Sequence, residues 1–200
     1  MSRFIYSMAR HGLRLFTFCT TAVVLACVVL ASPAGAQQAE DRVVAERLVK
    51  AAYLYKFGSY VTWPERAFPK PESPLKIGIV GDDELADELA HLAEERTLNG
   101  RRISVYRIQP EQARSQRMNV LFIGGNNIAQ ITDTLAAIKG QPVLTITEVG
   151  HALDLGSMIN FVVVDGKLRF EVSPKAAGAG NLAMSPALFP VAHRVASLAP

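Results

Sequence analysis

Residues 75–84 read L-K-I-G-I-V-G-D-D-E, and this stretch decides the fold class. Its first six residues are mostly apolar and predict a buried strand, because a strand covered on both faces needs apolar side chains at nearly every position. Asp83 is suited to cap a following helix. Residues 84–95 then place Leu85, Leu89 and Leu92 on one side of that helix. The stretch therefore predicts a strand that leads into an amphipathic helix.

The same alternation continues along the chain. Further strands are predicted at residues 103–108, 119–123 and 143–146, with helices at residues 110–117 and 126–138. Strands that alternate with helices indicate a parallel sheet with helices on both faces. We find no internal repeat and no long linker, so residues 37–200 are predicted to form a single domain.

The pattern changes near the C terminus. Residues 159–164 and 167–172 predict a hairpin, since Asp165-Gly166 between them suits a type I′ turn. Residues 174–197 are predicted to be helical, with interruptions by glycine and proline. The predicted fold is α/β: a three-layer α/β/α sandwich with a mostly parallel, mixed sheet, a C-terminal hairpin and a helix.

Residues 50–64, K-A-A-Y-L-Y-K-F-G-S-Y-V-T-W-P, hold five of the fifteen aromatic residues of the chain. We predict a helix over residues 37–60. Helical spacing separates two apolar stripes; one comprises Val44, Leu48, Ala51, Tyr55 and Gly58, and the other comprises Tyr53, Phe57 and Tyr60. We expect the first stripe to face the sheet. The second is left for the proline-rich loop after Trp63, a second subunit or a binding partner.

The first 36 residues have the composition of a cleaved signal peptide. A basic start is followed by an apolar run over residues 15–31, and Ala34-Gly35-Ala36 fits a signal peptidase site. Two alternatives stay open: an uncleaved signal anchor, and a lipoprotein modified at Cys27. Export would place the domain in the periplasm.

Charge and cysteine content exclude several functions for residues 37–200. The first 36 residues hold three of the 21 basic residues and none of the acidic ones, which leaves 18 of each sign in the remainder. This balance gives no support to nucleic-acid binding, which needs a basic face. Both cysteines, Cys19 and Cys27, precede residue 37. Thiol catalysis and zinc–thiolate sites are therefore excluded for the exported form.

No local motif predicts catalysis, a cofactor or a metal site. The turns after two strands, G-D-D-E (81–84) and G-G-N-N (124–127), lack the dinucleotide and Walker patterns. We interpret them as turns with helix caps. His91, His151 and His193 have no partner at metal-ligand spacing. A site built from residues far apart in the chain stays open.

Several segments together resemble the YfiR family of periplasmic regulators. The matching segments are V-K-A-A-Y-L-Y-K-F (49–57), W-P (63–64), I-V-G-D-D (79–83), V-L-F-I (120–123), V-L-T-I (143–146), G-S-M-I-N-F (156–161) and K-L-R-F-E-V (167–172). Each segment is short, but their order and spacing are specific. Two features depart from the family: Met118 stands where a cysteine is expected, and Ser173-Pro174 replaces an Asn-hydrophobic pair.

The resemblance implies an α/β/α periplasmic domain, without enzymatic activity, that represses an inner-membrane diguanylate cyclase through its sensor domain. Repression would lower cyclic di-GMP and biofilm formation. We expect partner contacts at Glu171 and Arg169 on the polar face of the hairpin, and at Tyr53, Phe57 and Tyr60 on the helix. A homodimer is also expected, as the commonest soluble assembly.

Two other functions stay open. The aromatic residues could bind a small molecule with a flat apolar surface, which makes a periplasmic binding module the main alternative. An exported hydrolase would require a site that the sequence alone does not reveal.

Overall fold

The computed structural model describes residues 34–196, with side chains from residue 37. The predicted signal peptide, including Cys27, lies outside the described residues except for its last three positions. Cleavage and lipidation therefore stay predictions. The chain divides into two units between Val44 and Ala45. The described part of the first unit is the start of one helix, and the second unit contains every strand described below.

The described helices and strands follow the predicted alternation, except that the helix predicted at residues 110–117 is only a 3₁₀ turn, Pro110–Gln112. The helices are α1 (Ala34–Phe57), α2 (Asp83–Ala93), α3 (Ile128–Ala137) and α4 (Pro174–Ala179). The strands are β1 (Val61–Thr62), β2 (Leu75–Val80), β3 (Thr97–Leu98), β4 (Arg101–Arg107), β5 (Val120–Ile123), β6 (Leu144–Thr147), β7 (Ile159–Val164), β8 (Lys167–Val172), β9 (Ala183–Met184) and β10 (Arg194–Val195). Short 3₁₀ turns occur at Gly58–Tyr60, Glu65–Ala67, Pro110–Gln112 and Pro186–Val191.

Eight strands form one mixed sheet in the order β10-β8-β7-β6-β5-β2-β4-β3. The five strands from β7 to β4 are parallel, and the outer strands β8 and β3 run antiparallel to their inner neighbours. Strands β1 and β9 form a separate two-stranded sheet. The predicted α/β fold with its C-terminal hairpin and helix is confirmed.

Both faces of the sheet carry an apolar core, because the central strands are apolar at nearly every position. On one face, Ile77, Phe122 and Ile146 pack with α1, α2 and α4. On the other face, Leu121 and Ile123 pack with α3. Helices therefore cover both sides, as the sequence predicts.

The C-terminal prediction is wrong in part. Helix α4 ends at Ala179, and the remaining chain is extended or 3₁₀. Pro186 and Pro190 cannot supply the N–H groups that an α-helix needs. The backbone bonds to distant parts of the chain instead: Ser185 N donates to Tyr60 O (2.7 Å), and His193 N donates to Phe170 O in β8 (2.8 Å).

The prediction for the two stripes of α1 is also wrong. Ala51, Leu54 and Phe57 are the buried positions, while Leu48 is exposed. The helix therefore turns Phe57, with Tyr53 beside it, toward the sheet. The Phe57 ring packs against the Phe161 and Phe170 rings of the hairpin, and this close packing places it in the core.

Candidate partner-binding groove

The β7–β8 hairpin projects beyond the carboxyl edge of the central sheet. Strand β6 pairs with β7 only at Ile159 and Asn160, so the last four residues of β7 extend about 13 Å further. Asp165 and Gly166 both have positive φ, 51° and 69°, at the tip. This confirms the predicted turn, since type I′ requires positive φ at both central residues and Asp-Gly tolerates it.

One face of this hairpin is continuously apolar. Its cross-strand pairs are Ile159–Val172, Phe161–Phe170 and Val163–Leu168. The first two pairs are buried, but Val163, at the projecting end, is 61% exposed. The apolar face therefore continues past the part that the rest of the domain covers.

Helix α1 covers the inner part of this face through aromatic contacts. The Phe57 ring lies 5.0 Å from the Phe170 ring and 5.9 Å from the Phe161 ring. Tyr53 stacks on Phe57 at 5.6 Å and meets Phe170 edge-on at 5.4 Å. Such offset and edge-on pairs are favourable beyond the area that they bury. They fix the position of α1 on the hairpin.

Between α1 and the projecting end of the hairpin lies a cleft of about 230 Å³. We call this cleft, lined by Glu46, Lys50, Glu148, Phe161, Val163 and Leu168, the hairpin groove. It opens at the carboxyl edge of a parallel sheet, where ligand sites of α/β proteins usually occur. Its wall on the hairpin side is apolar and its wall on the helix side is charged.

The charged wall is an ion-pair network centred on Lys50. Its Nζ lies 2.6 Å from Glu148 Oε2 and 2.9 Å from Glu46 Oε1, and its side chain is 14% exposed. Burial lowers the pKa of Lys50, but the hydrogen bonds to Glu148 and Glu46 outweigh it, so the pKa lies above its usual value. Lys50 therefore stays charged and joins α1 to the end of β6.

Glu148 is also held from the side of β5. Gly125 N donates to Glu148 Oε1 at 3.3 Å. A Cβ on Gly124 would stand 2.9 Å from Phe122 Cε1, 3.2 Å from Val80 O and 3.3 Å from Glu148 Oε1, so a larger residue would force these neighbours to shift. The glycine turn after β5 thus binds the carboxylate of Glu148 from the same chain. Asn127 caps α3 by accepting a hydrogen bond from Gln130 N, as predicted. Helix α2 is capped by Asp82, which accepts from Leu85 N, and not by the predicted Asp83, which is the first residue of the helix.

The five residues predicted to contact a partner do not form one surface. Tyr53 and Phe57 lie against the apolar face of the hairpin, whereas Arg169 and Glu171 lie on its opposite face. Tyr60 lies past the end of α1, where its carbonyl accepts from Ser185 N. Phe57 is 1% exposed, so we correct its predicted role: it is a core residue with no surface left for a partner.

Glu171 pairs within the chain. Arg194 Nε and Nη2 donate to its two carboxylate oxygens at 2.7 and 2.9 Å, and its side chain is 13% exposed. These hydrogen bonds hold the pKa of Glu171 below its usual value, although burial opposes them. Glu171 therefore fastens β10 to β8.

The groove residues Lys50, Glu148, Val163 and Leu168 were not predicted from the sequence. One signal was available for two of them. The alternation of apolar residues in β7 and β8 continues to Val163 and Leu168, beyond the length of the neighbouring β6. No such signal exists for Lys50 and Glu148, because they are far apart in the chain.

Within residues 34–196, no three His, Cys, Asp or Glu side chains are grouped to hold a metal ion. The same part of the chain contains no helix that is both long and apolar enough to cross a bilayer.

The sequence matches a family model described as YfiR/HmsC-like (DUF4154) over residues 47–193. The chain belongs to the YfiR/HmsC-like family. The match begins in α1 and ends just before β10, so it includes the lining residues of the hairpin groove except Glu46. YfiR-like domains are regulatory, periplasmic and associated with control of diguanylate cyclases.

Proposed function

We propose that this protein represses an inner-membrane diguanylate cyclase by binding its sensor domain in the periplasm. Repression lowers cyclic di-GMP and biofilm formation. Membership of the YfiR/HmsC-like family supports a regulatory role on a cyclase. Export by a cleaved signal peptide and the absence of enzymatic activity are parts of this proposal.

The observation that carries the proposal is the uncovered apolar end of the hairpin. Val163 and Leu168 continue the buried face of β7 and β8 into solvent, and Val163 is among the most exposed large apolar side chains described. An apolar surface beside charged groups is typical of protein interaction sites. We propose that an apolar side chain of the sensor domain enters the hairpin groove.

The charged wall of the groove supplies specificity in this proposal. Glu46 and Glu148 both form ion pairs with Lys50, so the wall carries two negative charges and one positive charge. A basic residue beside the apolar anchor of the partner would complement that charge. Of the residues predicted to contact a partner, Tyr53 lies beside the groove. Arg169 and Glu171 lie on the opposite face of the hairpin, so they would contact only a partner that binds to that face.

The alternative is a small-molecule binding module. Phe161 is an aromatic residue that lines the groove, but it is almost fully buried, and the volume of about 230 Å³ is below the roughly 300–1,000 Å³ of most ligand pockets. Size therefore favours a protein side chain over a free ligand. A thermal-shift screen tests the alternative, because a ligand that binds only the folded state raises the melting temperature.

Photo-crosslinking in the periplasm tests the proposed contact. A photoreactive amino acid at Val163 should form a crosslink to a diguanylate cyclase, identified by mass spectrometry. Ile128 is the matched control, since it is apolar and 47% exposed but starts α3 in the opposite layer. A cyclase crosslink from position 128 and none from position 163 would overturn the assignment of the surface. No cyclase from either position would count against the function.

A further inference from the structure

A second cleft lies at the opposite, amino edge of the sheet and carries three arginines. Its volume is about 340 Å³, and Arg66, Arg114 and Arg117 line it. Arg66 belongs to the turn after β1, and the other two lie in the segment between β4 and β5. Separate parts of the chain therefore bring three exposed arginines to one cleft.

These arginines have no acidic partner among the described side chains. Within the side chains described, residues 37–196, no carboxylate oxygen lies within 4.0 Å of the three guanidinium groups. No Asp or Glu lines the cleft. Since residues 37–200 have equal numbers of acidic and basic side chains, this local excess of positive charge is a property of the site.

The backbone of Arg117 points to a chemical role for its side chain. Five non-glycine residues have positive φ in the described chain, and four of them are Asn, Asp or His, the types that tolerate this conformation best. Arg117, at φ 47°, is the fifth. Glycine adopts a positive φ with less strain than arginine, so the backbone conformation alone does not favour arginine at this position. Residues held in such strained conformations cluster at ligand-binding positions.

We infer that this arginine cleft binds a phosphate group that carries a small apolar substituent. A phosphate monoester has three terminal oxygens, and guanidinium forks match them through paired, charge-assisted hydrogen bonds. A carboxylate carries a single negative charge, so it would balance only one of the three positive charges of the arginines. Met118 and Val143 form an apolar floor for the substituent. The phosphate can come from a soluble monoester or from a lipid headgroup.

Calorimetric titration of the exported protein with phenyl phosphate tests the site. Benzoate at the same ionic strength, with a similar ring and a carboxylate, should bind more weakly. Arg114→Gln and Arg117→Gln should each weaken binding by about tenfold or more, since each removes charge-assisted hydrogen bonds. Arg102→Gln is the matched control, because Arg102 is exposed on β4 outside the cleft, and it should leave binding unchanged.

Arg117→Gly separates binding from folding. Glycine accepts positive φ without strain, so this variant should melt no lower than the parent protein and yet lose affinity. In a second arm, vesicles of phosphatidic acid, whose headgroup is a phosphate monoester, and of phosphatidylcholine replace phenyl phosphate. Binding to phosphatidic acid alone, lost in Arg114→Gln, assigns the phosphate to a lipid headgroup. No binding of either probe, or binding that survives Arg114→Gln with Arg117→Gln, overturns the inference.

Discussion

Phe57→Ala tests the placement of α1 on the hairpin. Phe57 is 1% exposed, and its ring meets those of Tyr53, Phe161 and Phe170 at 5.0–5.9 Å. Removing a buried phenylalanine ring costs roughly 3–5 kcal/mol of unfolding free energy. Three aromatic neighbours lose their contacts at once, so we expect the upper half of that range. A surface contact would cost under about 0.5 kcal/mol.

Urea unfolding of both proteins measures the difference, with the midpoint and the m-value fitted separately. A domain of this size has roughly 5–15 kcal/mol of stability, so the variant should remain folded at low urea. If it does not, Phe57→Leu gives a smaller loss, below about 1.5 kcal/mol, in the same direction. A loss under about 1 kcal/mol for Phe57→Ala would refute the packing, and would return Phe57 to the candidate partner surface.

Three further predictions concern the contacts around the groove and the hairpin. Lys50→Met should lower the unfolding free energy by about 1–3 kcal/mol, because it leaves Glu148 half-buried without its cation. In a double-mutant cycle with Glu148→Leu, the losses of the two single variants should not add. Additive losses would contradict the ion pair. Glu171 has a lowered pKa, so its pairing with Arg194 stabilises the fold above the usual value of 4.5 and is lost as the pH falls through the lowered pKa. The parent protein should therefore exceed Glu171→Gln in stability at pH 6–7 and lose that advantage toward pH 3 in urea titrations; a difference independent of pH would count against the pairing. Gly166→Ala should cost about 1 kcal/mol in thermal unfolding, because alanine is strained at φ 69°, and no loss would contradict the I′ turn.

Local patterns predicted much of the fold. The limits of β2, Leu75–Val80, and of both hairpin strands match the prediction, because apolar runs and an Asp-Gly turn mark them in the sequence itself. The outer strands β3 and β10 were missed. Each has two residues, too few to show a period, and β10 forms through pairing with a distant strand.

The rotation of α1 could not be read from its own residues. A helix with apolar groups on all sides leaves its buried face undetermined. The choice depends on Phe161 and Phe170, which lie far along the chain and receive Phe57. Phe57 was therefore placed on a partner surface when it belongs to the core.

The groove was missed for a related reason. In the sequence, Lys50 is a charged residue within an aromatic stretch, and Glu148 follows a predicted strand. Neither position indicates that the two residues meet. Their pairing needs α1 to run against the carboxyl edge of the sheet, which follows from the tertiary fold. Glu171 was predicted to contact a binding partner because it is a charged residue in an apolar hairpin. Within the chain it pairs with Arg194, which lies in the C-terminal segment that was predicted to be helical.

The predicted homodimer stays a prediction, and sedimentation of the purified protein would measure it. It is independent of the groove, since the groove is formed by residues of one chain.

Cellular cyclic di-GMP tests the central claim most directly. In cells that contain the cyclase, deletion of the gene should raise cyclic di-GMP, and the parent protein should restore the low level. Val163→Glu places a charge in the apolar part of the groove next to Glu46 and Glu148, so it should fail to restore it. Ile128→Glu, equally exported and folded, should restore it fully. Unchanged cyclic di-GMP on deletion would contradict the proposed function, and full repression by Val163→Glu would contradict the groove as its site.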